Sequence, residues 1–94
     1  IPKFDSSIVV RNIYPNPINR NSTLITHIVL KNNSNTKITL YDNLGRRVAI
    51  LFDAELTKGE KLLHLNIGNI AIGSYQMIIE TAEGRNQVNL MIME

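Results

Sequence analysis

Short runs of alternating apolar and polar residues dominate the chain. Leu24, Thr26, Ile28 and Leu30 fall on one parity, and Ile25, His27 and Val29 fall on the other. A strand sends successive side chains to opposite faces, so this period of two predicts a half-buried strand. The pattern recurs four times: Thr36, Ile38 and Leu40 within Thr36 to Tyr41; Leu63 and Leu65 within Lys61 to Ile67; Tyr75, Met77 and Ile79 within Ser74 to Thr81; and Val88, Leu90 and Ile92 within Asn86 to Met93. A β-branched run from Ser7 to Ile13 and a segment from Arg46 to Phe52 bring the expected number to about seven strands. Only Asp53 to Leu63 offers a helical alternative, and Gly59 interrupts it.

Turn signals separate these runs at the spacing of a β-sandwich. Tyr14-Pro15-Asn16-Pro17 predicts a rigid extended corner, because two prolines remove two backbone donors and fix two φ angles. Asn19 to Ser22 predicts a turn, and Lys31 to Asn35 a polar hairpin loop. In Asp42-Asn43-Leu44-Gly45 the carboxylate can accept a backbone N–H, and Gly45 can take the left-handed conformation of a bulged hairpin. Asp53 to Glu60 reads as a longer connection hinged at Gly59, Gly68 to Gly73 as a corner, and Ala82-Glu83-Gly84 as a turn. The prediction is an all-β antiparallel sandwich, residues 1–94 forming one domain.

Composition supports this and narrows the function. Of 94 residues fourteen are Ile and twelve are Asn, against four Ala, a balance that favours strands and turns over helices. No cysteine is present, so neither a disulfide nor a cysteine-based zinc site supports the core. A net charge of +2 is too weak to imply a nucleic-acid partner, and no apolar run is long enough for a membrane span. No leader with a basic segment before an apolar stretch is visible, so any export signal is expected to have been removed or to belong to a longer parent.

Catalytic constellations are missing from the sequence. His27 and His64 fall on different predicted strands without a nearby carboxylate in sequence, which points to solvent-facing side chains. Gly73-Ser74 lacks the second glycine of a nucleophile elbow, and no glycine loop suits a phosphate, so no cofactor is expected. Arg46-Arg47 is the single basic doublet, and its expected use is structural pairing with a carboxylate such as Asp42, with partner recognition as the alternative. The last strand stands out. Asn89, Met91 and Met93 alternate with its core face, and Ile78 lies on the corresponding side of the preceding strand. With Glu94 these residues predict an apolar strip, either a recognition or assembly surface or a face covered by a neighbouring domain or loop, beside a terminal strand that could template pairing.

Taken in order, the motifs resemble a known family. Tyr14-Pro15-Asn16-Pro17, then Tyr41-Asp42 with Gly45-Arg46 and Val48, then Gly73-Ser74-Tyr75 match the pattern of the C-terminal sorting domain of the type IX secretion system of Bacteroidota, over roughly Ile13 to Glu94. Similar motifs occur in modules related to the C-terminal domain of the flagellar hook-capping protein. The resemblance implies an immunoglobulin-like sandwich without catalysis at the C-terminus of secreted cargo. Its implied partners are the outer-membrane translocon and a surface sortase, and its implied location is extracytoplasmic, secreted or on the cell surface. The family carries Lys in the last strand and near the final residue, where this sequence has Asn89 and Glu94. The alternative is a retained module that packs on its parent or on a second copy through its terminal strand.

Overall fold

The computed structural model describes residues 8–82 and 84–94. Ser7 of the expected first strand and Glu83 of the expected last turn lie outside the described residues. The alternating segments pair into two sheets: β1 (Ile8–Tyr14), β3 (Thr23–Leu30) and β6 (Gly59–Asn66) form one in the order β1-β3-β6. The other has the order β2-β8-β7-β4-β5, built from β2 (Ile18–Asn19), β4 (Ser34–Tyr41), β5 (Arg47–Leu56), β7 (Gly73–Thr81) and β8 (Gly84–Met93). Described residues contain no helix.

The two inner faces follow the parity read from the sequence. Leu24, Thr26, Ile28 and Leu30 of β3 are buried, as are Thr36, Ile38 and Leu40 of β4, Tyr75, Met77 and Ile79 of β7, and Leu90 and Ile92 of β8. Ile18, Leu65 and Ile67 close the same cluster. Burying each such aliphatic side chain contributes about 1.5–3 kcal/mol, so this shared face is what keeps the sheets together. Partly buried Val10, Ile13, Leu63, Leu51, Phe52 and Leu56 flank it.

Four features differ from the sequence prediction. There are eight strands, because Ile18 and Asn19 form a short additional one. That strand runs parallel to β8, with Ile18 opposite Ile92 and Asn19 opposite Met93, so the sandwich is not wholly antiparallel. Lys31 to Asn35 is no hairpin loop: β4 already begins at Ser34, and β3 and β4 belong to different sheets, so the segment crosses the sandwich. Alternation reports which face a residue takes but not which strand it will pair with. Finally, β5 runs on to Leu56, leaving only Thr57 and Lys58 before β6. Asp53 and Glu55 are polar, yet with Ala54 they pair with Asn35 to Lys37 of β4, and Asn35 Nδ2 donates to Asp53 Oδ1 at 3.2 Å. The two crossover loops lie at one end of the sandwich, where Lys58 N–H donates to Asn33 Oδ1 at 2.8 Å.

Candidate functional site

The Asp42 hairpin is organised by one carboxylate. Oδ1 accepts the backbone N–H groups of Leu44 and Arg46, each at 2.9 Å, and Oδ2 accepts from Arg46 Nε at 2.9 Å. The main chain closes the loop with Gly45 N–H donating to Asp42 O at 3.0 Å and Asp42 N–H to Arg46 O at 2.9 Å. Gly45 has φ +80°, in the left-handed region where a side chain is strained. The Asp42 carboxyl is held below its ordinary value, chiefly by the Arg46 backbone N–H. Desolvation opposes the shift; the Leu44 N–H and the Arg46 guanidinium reinforce it. Of the basic doublet, Arg46 takes the expected carboxylate but lies in the turn, largely exposed, rather than on the predicted strand. Arg47 opens β5 opposite Tyr41.

The other motif corner acts over a long range. Tyr14 ends β1, 48 % exposed, on the outer face of the three-stranded sheet beside Ile25. Both X–Pro bonds that follow are cis. Pro15 and Pro17 carry no N–H, so the main chain has few donors here for the neighbouring strand. Asn16 supplies what is missing. Its Nδ2 donates to Asn89 O at 2.9 Å, and its Oδ1 accepts from Met91 N–H at 3.1 Å. A carboxamide offers one donor group and one acceptor on a planar unit, as a peptide group does. Immediately after it, β2 pairs with Ile92 and Met93, and Arg20 N–H donates to Met93 O at 2.8 Å. The Arg20 guanidinium bonds Asn69 Oδ1 and lies 3.6 Å from Glu94 Oε1. Residues 16–20 therefore cover the outer edge of β8 from Asn89 to Met93. The terminal strand is not the open template that the sequence suggests.

The predicted strip is broken. Ile78, Asn89, Met91 and Met93 do share the outer face of the five-stranded sheet, and the two methionines are 41 % and 46 % exposed. Ile78 is only 6 % exposed, and the polar pair Gln76–Asn89 stands between it and the row Ser74–Met91. Ile78 instead lines an open hollow of about 440 Å³ with Tyr41, Gln76, Arg85, Gln87 and the Asp42 turn. Ser74 Oγ–H meets Met91 Sδ at 3.7 Å. Gly73 opens β7, and a Cβ there would be in ordinary contact with the Tyr75 ring at 3.7 Å. Tyr75 fills the core from the next position but one, its hydroxyl donating to Ala71 O at 2.6 Å.

The histidines lie on the outer face of the smaller sheet, one on each of two paired strands, His64 opposite Ile25 and His27 opposite Leu62. His27 Nε2 lies 3.1 Å from Glu60 Oε1, a partner the sequence separation concealed. Among the described residues no group of three His, Cys, Asp or Glu side chains could hold a metal ion. Leu62, 53 % exposed, joins Tyr14 as an outward apolar side chain of this sheet. Sequence reasoning missed the Asn16 and Arg20 contacts. The available signal was an isolated amide between two residues without N–H groups, followed by a cation.

What the geometry of the described residues offers is a framework with a secured terminal strand. No curated protein matches the chain. The family described as the secretion system C-terminal sorting domain matches residues 12–94, a span that contains both motif corners and the terminal strand. The chain belongs to this family, whose domains are the type IX secretion signals of proteins exported through the periplasm to the cell surface or released.

Proposed function

We propose that this domain works without catalysis, as a shape read first by the outer-membrane translocon and then by a surface sortase that removes it from its cargo. Contact with the secretion machinery follows from the family; these two readers are the finer proposal. The observation that carries it is the terminal strand. It brings Asn89, Met91, Met93 and Glu94 to the surface, and Asn16 of the first family motif bonds its backbone at Asn89 and Met91. Tyr14, Pro15, Pro17, Tyr41, Gly45, Arg46, Gly73 and Tyr75 act as framework for that surface. Exposed methionines suit a reader that accommodates varied packing, since the thioether is flexible and polarisable. Asn89 and Glu94 make this version of the surface less basic than one carrying Lys at both positions.

A reporter fused ahead of residues 1–94, expressed in a host with an intact type IX system, tests the proposal. The expected result is reporter at the surface or in the medium, with the domain removed, and periplasmic retention of the Met91→Lys, Met93→Lys double variant. Retention of the unaltered fusion in the periplasm would falsify the sorting role for this sequence. Export with the domain still attached would exclude the sortase as a reader.

A further inference from the structure

The outer edge of β8 carries a second message. In a strand the N–H and C=O of one residue point to the same side, and alternate residues point to the same edge. Asn89, Met91 and Met93 therefore direct their groups away from β7. A sheet edge bearing such groups pairs readily with any other extended chain. Here the partners come from a segment 73 and 75 residues away in sequence, and the key one is a side chain. We propose that the outer edge of β8 from Asn89 to Met93 is a strand-addition site, kept closed by this chain's own residues 16–20, and that the Asn16 carboxamide is its latch. The occupant favoured when the latch is lost is a second copy of the chain, β8 against β8. Alternating donors and acceptors on an antiparallel strand edge are self-complementary about a two-fold axis. Met91 and Met93 stand exposed on the flanking face, 41 % and 46 %, and would extend the contact.

Asn16 owes this position to its neighbours. With prolines on either side, neither residue flanking Asn16 has an N–H with which to pair Asn89 C=O. Residues that could make the bond only with an acceptor, or only with a donor, would leave one edge group open. Gln has the right groups on a longer arm. Asp has the right shape, but its carboxylate lacks the donor that Asn89 C=O takes.

The test uses the purified 94-residue chain, without secretion machinery, so its outcome is independent of the sorting proposal. Amide hydrogen exchange is followed at Met91 in the unaltered protein and in Asn16→Ala. Exchange at Met91 is expected to accelerate about tenfold, the effect of one lost bond of ordinary strength, while Leu90, whose groups face β7, stays protected. Light scattering is expected to show concentration-dependent dimers for Asn16→Ala alone. Unchanged exchange at Met91 overturns the latch, and a variant that stays monomeric at every concentration overturns the strand-addition site.

If Asn16→Ala does not fold, Asn16→Asp decides the latch. The charged carboxylate would face Asn89 C=O, so the new group's pKa is raised in the folded state. A raised pKa contributes stability below the unfolded value and loses it as pH rises through the folded value. The deficit of Asn16→Asp relative to the unaltered chain should therefore shrink in acid, where a neutral carboxyl restores both donor and acceptor. A second hollow, beside Asn16, is lined by Ser74, Tyr75, Gln76, Asn89, Leu90 and Met91; Tyr75 is the one titratable side chain among them, and its hydroxyl is held by Ala71 O. A deficit independent of pH overturns the latch.

Discussion

Asp42 and Asn16 do related work at opposite scales. Both are short side chains that bond backbone groups and hold a bend in the chain. Every partner of Asp42 lies within four residues, on Leu44 and Arg46. The partners of Asn16 lie on the last strand, at Asn89 and Met91. The Asp42 turn can form as soon as its own hairpin forms. The Asn16 contact exists only when the first third of the chain meets the last strand, beside the pairing of β2 with β8 in the five-stranded sheet. The first is local turn chemistry, and the second reports completion of the whole fold.

This contrast can be broken experimentally. The largest effect is expected for Asn16→Ala, which removes two backbone bonds at once and costs about 1–2 kcal/mol in urea unfolding. It should act mostly on the unfolding rate, since contacts spanning 73 and 75 residues form late. An equal loss in folding rate would show the corner to be formed early and would erase the distinction. Gly45→Ala comes next, at about 1 kcal/mol, from forcing a side chain into φ +80°. No atom lies within 4 Å of the added methyl group, so the cost is one of backbone conformation alone. Replacement by Asn, which tolerates that region, should recover much of it; no recovery would point to a contact instead.

The smallest effect belongs to Asp42→Asn. Its folded-state pKa lies below the 3.8 of the free side chain, so its contribution is complete above that value and fades as pH falls through the lowered one. The amide can still accept the Leu44 and Arg46 N–H groups but carries no charge. Near neutral pH the variant should melt close to the unaltered chain, and the acid-dependent component due to this turn should vanish. A large neutral-pH loss would mean that the ion pair with Arg46, not the turn, holds the hairpin.

The same difference in range explains what could be read from the sequence. The parity of Leu24 to Leu30 and of Tyr75 to Ile79 identifies the inner faces, because face choice depends only on the residues of one strand. The Asp42–Gly45 hairpin is legible for a similar reason. The assignment of β3 and β4 to separate sheets is not, since their connecting loop is as polar as a hairpin loop. Nor is the length of β5, whose polar end is recruited as strand by Asn35 and Lys37 across from it. At the terminal strand, the alternation of Asn89, Met91 and Met93 correctly placed them outward, whereas the burial of Ile78 depends on neighbours from other strands. The edge contact of Asn16 lay further out of reach, being fixed by two segments that meet only in three dimensions.

The parallel pairing of Ile18 with Ile92 has a consequence for a chain made from its N-terminus onward. Until Met93 has been added, Arg20 N–H lacks the carbonyl it bonds, and until Met91 has been added, Asn16 holds only half of its contact. A product interrupted before Asn89 could form the Asp42 hairpin and the β3–β6 pairing, but its lead-in corner would have nothing to close upon. Closure of that corner is thus a molecular check on synthesis: it distinguishes a chain in which β8 has been made from one that stops short of it.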